Sequence, residues 1–204
     1  MQRRFASLLA AAAVALAGTQ ALAQADVGGV KYPATAQVGG QTLQLNGAGM
    51  RYKFVVKVYT AGLYVPARSA TPEGVLAQAG ARRIHVVMQR EIDANELGRM
   101  FTRGMQDNAP QGEFSKFIPG TIQLSEIFSA YKRLKAGDVF FVDYVPGQGT
   151  TVVVNGKPAS EPIREPEFFN ALLRIWLGKN PADGALKEAL LGREQRQVTS
   201  PGQQ

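Results

Sequence analysis

The residues that could act on a ligand lie in one stretch of the chain, around Arg51. Arg51 follows the flexible segment 46–49, and it precedes a β-rich run that contains Tyr59 and Tyr64. A guanidinium can hold a carboxylate or an enolate oxygen through two parallel hydrogen bonds. Tyr59 or Tyr64 can complete the polar end of such a site. The alternative interpretation is a surface arginine at a strand start, accompanied by ordinary core tyrosines.

Other chemistries lack the residues they need. The single histidine, His85, lies in mid-strand without a nearby carboxylate on its pleat face, so we interpret it as an ordinary strand residue. The absence of cysteine excludes thiol catalysis, disulfides and a lipid-modified cysteine. One histidine without cysteines forms no zinc-type ligand set, and no Asp-rich calcium loop occurs. We therefore expect no metal and no cofactor.

The first 23 residues have the pattern of a secretory signal peptide. Arg3 and Arg4 form a basic region, residues 8–16 an apolar run, and residues 21–23 an A-x-A cleavage site. The apolar run is too short to span a bilayer of about 30 Å. We expect a mature chain that begins near Gln24 without a stable membrane anchor. In a bacterium, such a protein would be periplasmic or secreted.

The remaining chain has the composition of one globular domain. The full sequence of 204 residues is 45% hydrophobic and 19% charged. We expect a single domain over residues 24–192 and a disordered polar tail over 193–204. The formal net charge of +7 comes from dispersed basic residues without aromatic interleaving, so no nucleic-acid surface is predicted.

Turn signals divide this domain into strands. Gly39-Gly40 accepts positive φ at both turn positions and predicts a hairpin between strands at 35–38 and 41–45. Segment 46–49 predicts a turn rather than a phosphate loop, because no Lys-Ser/Thr follows it. The run 51–65, closed by a proline, predicts one long strand. Further strands are predicted at 82–92, 138–145 and 150–154, the last followed by the hairpin signal Asn155-Gly156.

Helical patterns fall between these strands. Asp93 with Glu96 forms a capping-box-like start for a helix whose apolar stripe includes Leu97, Met100 and Phe101. The other predicted helices cover 71–80, 121–137, 166–178 and 181–191. This order, with hairpin turns rather than βαβ units, favours an α+β domain in which helices cover one face of a mainly antiparallel sheet.

Strand alternation places a condition on the site. In one continuous strand, Arg51 and Tyr59 share a face, whereas Tyr64 points to the other face. Arg51 and Tyr64 could meet one ligand only if the strand bulged, and Gly62 is the natural place for a bulge. Without that bulge, Tyr59 is the better partner of Arg51.

These residues resemble a known family. Residues 45–51 followed by 57–64 are similar to the Arg-bearing segment of the chalcone isomerase fold family, and the similarity continues through 82–105 and 169–178. The resemblance is closest to secreted bacterial chalcone isomerase-like proteins. It implies an open-faced β-sandwich, in which an antiparallel sheet and a layer of helices enclose a ligand cleft. In the fatty-acid-binding relatives an Arg and a Tyr hold the carboxylate, and these match Arg51 and Tyr64.

The catalytic residues of the plant enzymes do not carry over with the resemblance. Tyr59 stands where those enzymes have a Thr, Leu97 where they have an active-site Tyr, and Ile175 where they have a second Thr. The resemblance therefore favours binding of a small apolar carboxylate, such as a fatty acid, without efficient chalcone cyclisation. The apolar body of the ligand is expected against Val55, Leu97, Met100, Phe101 or their neighbours.

Two alternatives stay open. The first is an isomerase, of the intramolecular lyase type, that acts on a chalcone-like enone with Arg51 as the electrophile. The second is a non-catalytic module that binds a partner and has its cavity filled by Tyr59, Tyr64 and Trp176. Whether the protein is an enzyme is not decided by these residues.

Overall fold

A computed structural model describes residues 24–193, and the predictions for residues 1–23 and for the tail from 194 lie outside that range. The strands are β1 Ala25–Val27, β2 Val30–Tyr32, β3 Thr35–Val38, β4 Gln41–Lys53, β5 Val56–Val65, β6 Arg82–Met88, β7 Ile92–Asp93, β8 Arg133–Leu134, β9 Val139–Val145, β10 Gly149–Val154 and β11 Lys157–Pro158. The α-helices are α1 Pro72–Leu76, α2 Ala94–Asn108, α3 Ile118–Ser129, α4 Phe168–Leu177 and α5 Gly184–Leu190, and a short 3-10 helix, Phe114–Phe117, precedes α3.

Seven strands form one antiparallel sheet in the order β11-β10-β9-β6-β5-β4-β3. Two small ribbons, β1-β2 and β7-β8, lie outside this sheet. The predicted hairpins at Gly39-Gly40 and Asn155-Gly156 are both present, and all four loop residues have positive φ. The predicted α+β architecture, a mainly antiparallel sheet covered by helices, is confirmed.

The two faces of the sheet bury separate clusters. On the helical side, Phe101, Phe128, Phe140 and Trp176 pack edge to face in the main core. Strand β6 contributes its alternate residues to this core, as its sequence pattern predicted. On the other side, a smaller cluster forms around Tyr32 and Tyr64. The sheet therefore has an apolar layer on each face, and β5 is buried on both from Val58 onward.

The run predicted to be one long strand is in fact a hairpin. Strand β4 ends at Lys53 and β5 begins at Val56, so Phe54 and Val55 form a two-residue loop. Phe54 has a φ of 57°, the conformation that reverses the chain. The loop contains no Gly, Asn, Asp or Pro, which explains why the turn left no signal in the sequence.

The glycines of segment 46–49 serve close packing and do not form the predicted turn. They lie inside β4, where α5 packs against the strand. A Cβ on Gly47 would overlap the carbonyl oxygen of Ala189, and one on Gly49 would lie 2.6 Å from the Ala189 Cβ. Glycine is needed at both positions because the helix approaches the strand backbone directly.

The bulge proposed at Gly62 does not occur. Gly62 pairs regularly with Ala48 on one side and with His85 on the other. A Cβ there would overlap the ring of Tyr32, so this glycine makes room for an aromatic residue. The irregularities of the β4-β5 pair lie between Leu45 and Gly47, and after Arg51.

Several helix boundaries differ from the predictions. Helix α2 begins as predicted, because the Asp93 carboxylate accepts a hydrogen bond of 3.0 Å from the Glu96 backbone N–H. Helix α3 begins at Ile118 and not after Pro119, since proline is tolerated in the first helical turn. It ends at Ser129, and Leu134 belongs to β8. Helices α1, α4 and α5 are each shorter than predicted.

Candidate functional site

Arg51 lies directly opposite Tyr59 in the β4-β5 hairpin. Its guanidinium carbon is 5.3 Å from the centre of the Tyr59 ring, within the range of a cation–π contact. The hairpin thus brings together two residues that are eight positions apart in the sequence. Arg51 and Tyr59 form the polar centre of the candidate site.

Tyr59 is fully buried and is held from the helical side. The indole Nε1 of Trp176, on α4, donates a hydrogen bond of 2.8 Å to the Tyr59 hydroxyl oxygen. Burial raises the pKa of Tyr59, while the nearby positive charge of Arg51 and the Trp176 hydrogen bond act in the opposite direction. The phenol therefore stays neutral, and its hydroxyl proton is available for donation to a further acceptor.

The guanidinium of Arg51 is poorly satisfied by the protein. Its buried Nε has no hydrogen-bond partner, and its Nη1 contacts the sulfur of Met100 at 3.9 Å. Within residues 24–193, no carboxylate forms an ion pair with it. Because a guanidinium carries five donors and its partners here are the Met100 sulfur and the Tyr59 hydroxyl, it retains donors that can bind an anion.

The carboxylate of Asp183 lies close enough to affect the pKa of Tyr59, but it already has partners. One of its oxygens caps α5 by accepting a hydrogen bond of 3.0 Å from the Leu186 N–H. The other accepts a hydrogen bond of 2.9 Å from the Tyr52 N–H on β4. Asp183 therefore fastens α5 to the strand that carries Arg51, and it is not within ion-pair distance of the guanidinium.

Met100 connects Arg51 with the surface. In addition to its contact with Arg51, Met100 lines a depression of about 370 Å³ together with Glu96, Arg99 and Arg103. Methionine is flexible and fills irregular space, so its side chain can change rotamer at low cost. The depression and the guanidinium thus lie on two sides of one movable side chain.

Tyr64 is not part of this arrangement. It pairs with Leu45 and Arg83 across the sheet and packs in the cluster on the face away from the main helical core. Burial raises its pKa to about 12. Of the two tyrosines that sequence patterns and resemblance indicated, the structure brings Tyr59 to Arg51 and leaves Tyr64 elsewhere.

The positions that would carry catalysis hold aliphatic side chains. Leu97 on α2 and Ile175 on α4 are both buried in the main core. His85 lies on the other face of the sheet, between Tyr32 and Phe141, and burial lowers its pKa to about 4. Leu97 and Ile175 supply no hydroxyl group to the site, and residues 24–193 contain no cluster of metal-ligating residues. The arrangement can hold an anion through Arg51 and Tyr59.

A family model described as chalcone isomerase-like matches residues 24–192 of the chain. The chain belongs to the chalcone isomerase-like family. No curated protein sequence matches it significantly.

Among solved structures, this family member is similar to a fatty-acid binding protein of Arabidopsis thaliana. The two share 14% sequence identity with a TM-score of 0.63, over 80% of this chain and 92% of the other. At this level of identity the similarity establishes a common fold. It agrees with the chalcone isomerase-like architecture that the sequence predicted.

The sequence indicates Arg51, Tyr59 and Met100 as site residues, but not how Tyr59 is held. Trp176 is expected from the sequence only to fill the cavity of a partner-binding module, and its hydrogen bond to Tyr59 has no sequence signal. Asp183 also has no sequence signal as a neighbour of the site. A hairpin register would have placed Arg51 opposite Tyr59 from the start.

Proposed function

We propose that this protein binds a small apolar carboxylate, such as a fatty acid, with Arg51 holding the carboxylate and Tyr59 completing the polar end. The observation that carries this proposal is the partly buried Arg51 guanidinium, whose Nε is buried without a partner. An unpaired buried donor is costly, and a carboxylate ligand would relieve that cost with charge-assisted hydrogen bonds.

Two further features support this reading. The Arabidopsis protein of the same fold is described as fatty-acid binding, which makes the ligand class reasonable for the family. Arg51 is also adjacent to apolar side chains of α2, and Met100 can yield space to an alkyl chain. Val55, expected from the sequence to line the cavity, is 91% exposed at the hairpin loop and is excluded from this role.

We also propose that this site does not catalyse isomerisation efficiently. Arg51 could stabilise an enolate-like oxygen, but Leu97 and Ile175 cannot supply the hydroxyl groups that would orient and polarise an enone. Turnover of a chalcone panel above the uncatalysed rate, lost in Arg51→Gln, would contradict the proposal that isomerisation is inefficient.

A second candidate function is a non-catalytic module that binds a protein partner. The observation that favours it is the dense packing beside Arg51, where Tyr59 and Trp176 are both fully buried and joined by a hydrogen bond. In this case the interior would be a permanent core, and no small molecule would enter it. Tyr64 would have no part in filling it, because it lies on the other face.

Mass spectrometry of small molecules released from the purified protein distinguishes the two candidates. Ligand binding predicts a bound carboxylic acid in stoichiometric amount, reduced in an Arg51→Gln preparation made in parallel. The exposed residue Arg133 provides a matched control, since Arg133→Gln removes the same charge at a surface position. Equal yields from all three preparations, or no acid at all, would favour the partner-binding module.

We further propose that the protein is exported and that cleavage leaves a chain beginning near Gln24. The support is the pattern of residues 1–23, with its basic, apolar and A-x-A parts. The intact mass of the protein recovered from its native host tests this. A mass that includes residues 1–23 would contradict cleavage.

A further inference from the structure

The loop of the β4-β5 hairpin exposes an unusual amount of apolar surface. Phe54 is 93% and Val55 is 91% exposed, and Tyr52 and Val56 on either side are each 42% exposed. We call these four residues the hairpin tip. Single exposed apolar residues are ordinary, but three consecutive ones at a hairpin loop, Phe54, Val55 and Val56, indicate a surface that meets something apolar.

The backbone of the tip makes this composition more informative. Phe54 has a φ of 57°, a position at which a two-residue hairpin loop normally takes Gly, Asn or Asp. A bulky aromatic residue there is strained, and Phe54 obtains almost no packing within the protein in return. A residue that has a strained backbone conformation and gains no packing in return is typical of a functional position.

Basic side chains surround the tip. Lys53 lies within this stretch and Lys57 follows it, and Arg99 and Arg103 are exposed on α2, the helix that the hairpin contacts. The hairpin contacts α2 through Lys53 and Glu96, whose charged atoms are 4.0 Å apart, and through Arg51 and Met100. Four cations against two carboxylates, Glu96 and the Asp183 group that accepts the Tyr52 N–H, give this end of the molecule a positive local balance.

We propose that the hairpin tip inserts into the headgroup region of an anionic lipid bilayer. Exposed apolar side chains accompanied by lysines and arginines match the two layers of such a surface, with an apolar interior beneath negative headgroups. The proposed docking is peripheral. Within residues 24–193, no helix is long and apolar enough to cross a bilayer. The docking does not depend on Arg51 holding a ligand.

The test measures partitioning of the purified protein into vesicles. A Phe54→Asn/Val55→Ser variant replaces both apolar loop side chains by polar ones. Its partitioning into anionic vesicles is expected to be lower by about tenfold or more. Asn suits the positive φ, so this variant retains the turn. Partitioning of a Lys53→Gln/Lys57→Gln variant is expected to fall about twenty-five-fold, since each lysine at an anionic surface contributes about fivefold. Binding of the unmodified protein should weaken with salt.

A label locates the contact. The chain contains no cysteine, so Val55→Cys carries a single environment-sensitive fluorophore. The control is Gln148→Cys, in the exposed β9-β10 loop at the opposite end of the sheet. A blue shift with anionic vesicles for Val55→Cys alone supports insertion.

Three results would overturn the proposal. The first is partitioning into anionic vesicles that neither the Phe54→Asn/Val55→Ser nor the Lys53→Gln/Lys57→Gln variant changes. The second is a fluorophore on Val55→Cys that shows no blue shift when vesicles bind. The third is self-association that depends on Phe54 in the absence of vesicle binding, which would make the tip a protein interface.

Discussion

The indole Nε1 of Trp176 donates a hydrogen bond of 2.8 Å to the hydroxyl oxygen of Tyr59, and the Tyr59 ring lies against Arg51. Helix α4 and the β4-β5 hairpin are thereby joined at the candidate site. The partners are 117 positions apart in the sequence, so the contact depends on the complete fold. It fixes the orientation of the phenol that would share a ligand with Arg51.

Tyr59→Phe is expected to destabilise the protein by about 1–3 kcal/mol, because the buried Trp176 N–H loses its acceptor. The pair is also a convenient probe, since Trp176 is the only tryptophan of the chain. Chemical denaturation followed by Trp176 fluorescence measures the effect. A Tyr131→Phe variant, at a partly exposed position, serves as the control and should be close to neutral. Equal stability of Tyr59→Phe and the unmodified protein would show that the hydrogen bond is not important.

Met100→Ala tests whether Met100 controls access to Arg51. Truncating this side chain removes its contact with the guanidinium and joins the surface depression to the site. We expect fatty-acid association to be faster by about threefold to tenfold, the range in which association rates vary among variants of one interface. Stopped-flow mixing with a fluorescent fatty acid measures this rate. An unchanged or slower association would contradict a gating role for Met100.

Gly47→Ala tests the close packing of α5 on β4. The added methyl group would overlap the backbone at Ala189, so α5 must move, and we expect a loss of about 1–3 kcal/mol in the free energy of unfolding. The half-buried residue Ala48 between the two glycines provides the comparison. Ala48→Ser should cost less than Gly47→Ala in urea denaturation. The reverse order would be evidence against this packing.

His85 should make stability depend on pH. Burial, assisted by the charge of Arg83, lowers the pKa of His85 to about 4 from the ordinary value of 6.5. Between these values the unfolded chain binds a proton that the native protein does not, so the free energy of unfolding rises with pH across this window and is level above it. Because the ring is only partly buried, we expect a contribution of about 1–2 kcal/mol.

His85→Gln should remove this part of the pH dependence. Urea denaturation at pH 4.5 and pH 7 is the measurement, and the difference between variant and unmodified protein isolates His85 from the carboxylates. An identical pH dependence in both proteins would show that His85 is equally protonated in the native and unfolded states.

The sequence predicted the fold class well because its strongest signals are local. The Gly39-Gly40 and Asn155-Gly156 turns, the Asp93 cap and the alternation of β6 each require only a few neighbouring residues. The β4-β5 loop was not predicted, because Phe54 and Val55 are not residue types that favour turns. The function of Gly47 also could not be seen, since it depends on a helix that lies about 140 positions later.

The residues of the candidate site also fall into two groups: those that the sequence indicates, and those that only the fold brings to the site. Arg51 is recognisable from residue type, strand context and family resemblance, and Tyr59 from strand alternation. Their partners Trp176, Met100 and Asp183 come from three other parts of the chain and meet only in the folded protein. Tyr64 was favoured by the resemblance, yet the register of β5 directs it to the opposite face.

The most direct test of the central claim is a calorimetric titration with a long-chain fatty acid below its micelle concentration. The unmodified protein is compared with Arg51→Gln and with the surface control Arg133→Gln. Loss of charge-assisted hydrogen bonds worth about 1.5–3 kcal/mol predicts a rise in Kd of about tenfold to a hundredfold for Arg51→Gln, and no change for the control. A fatty acid that binds Arg51→Gln as tightly as the unmodified protein would contradict the proposal that Arg51 holds the carboxylate.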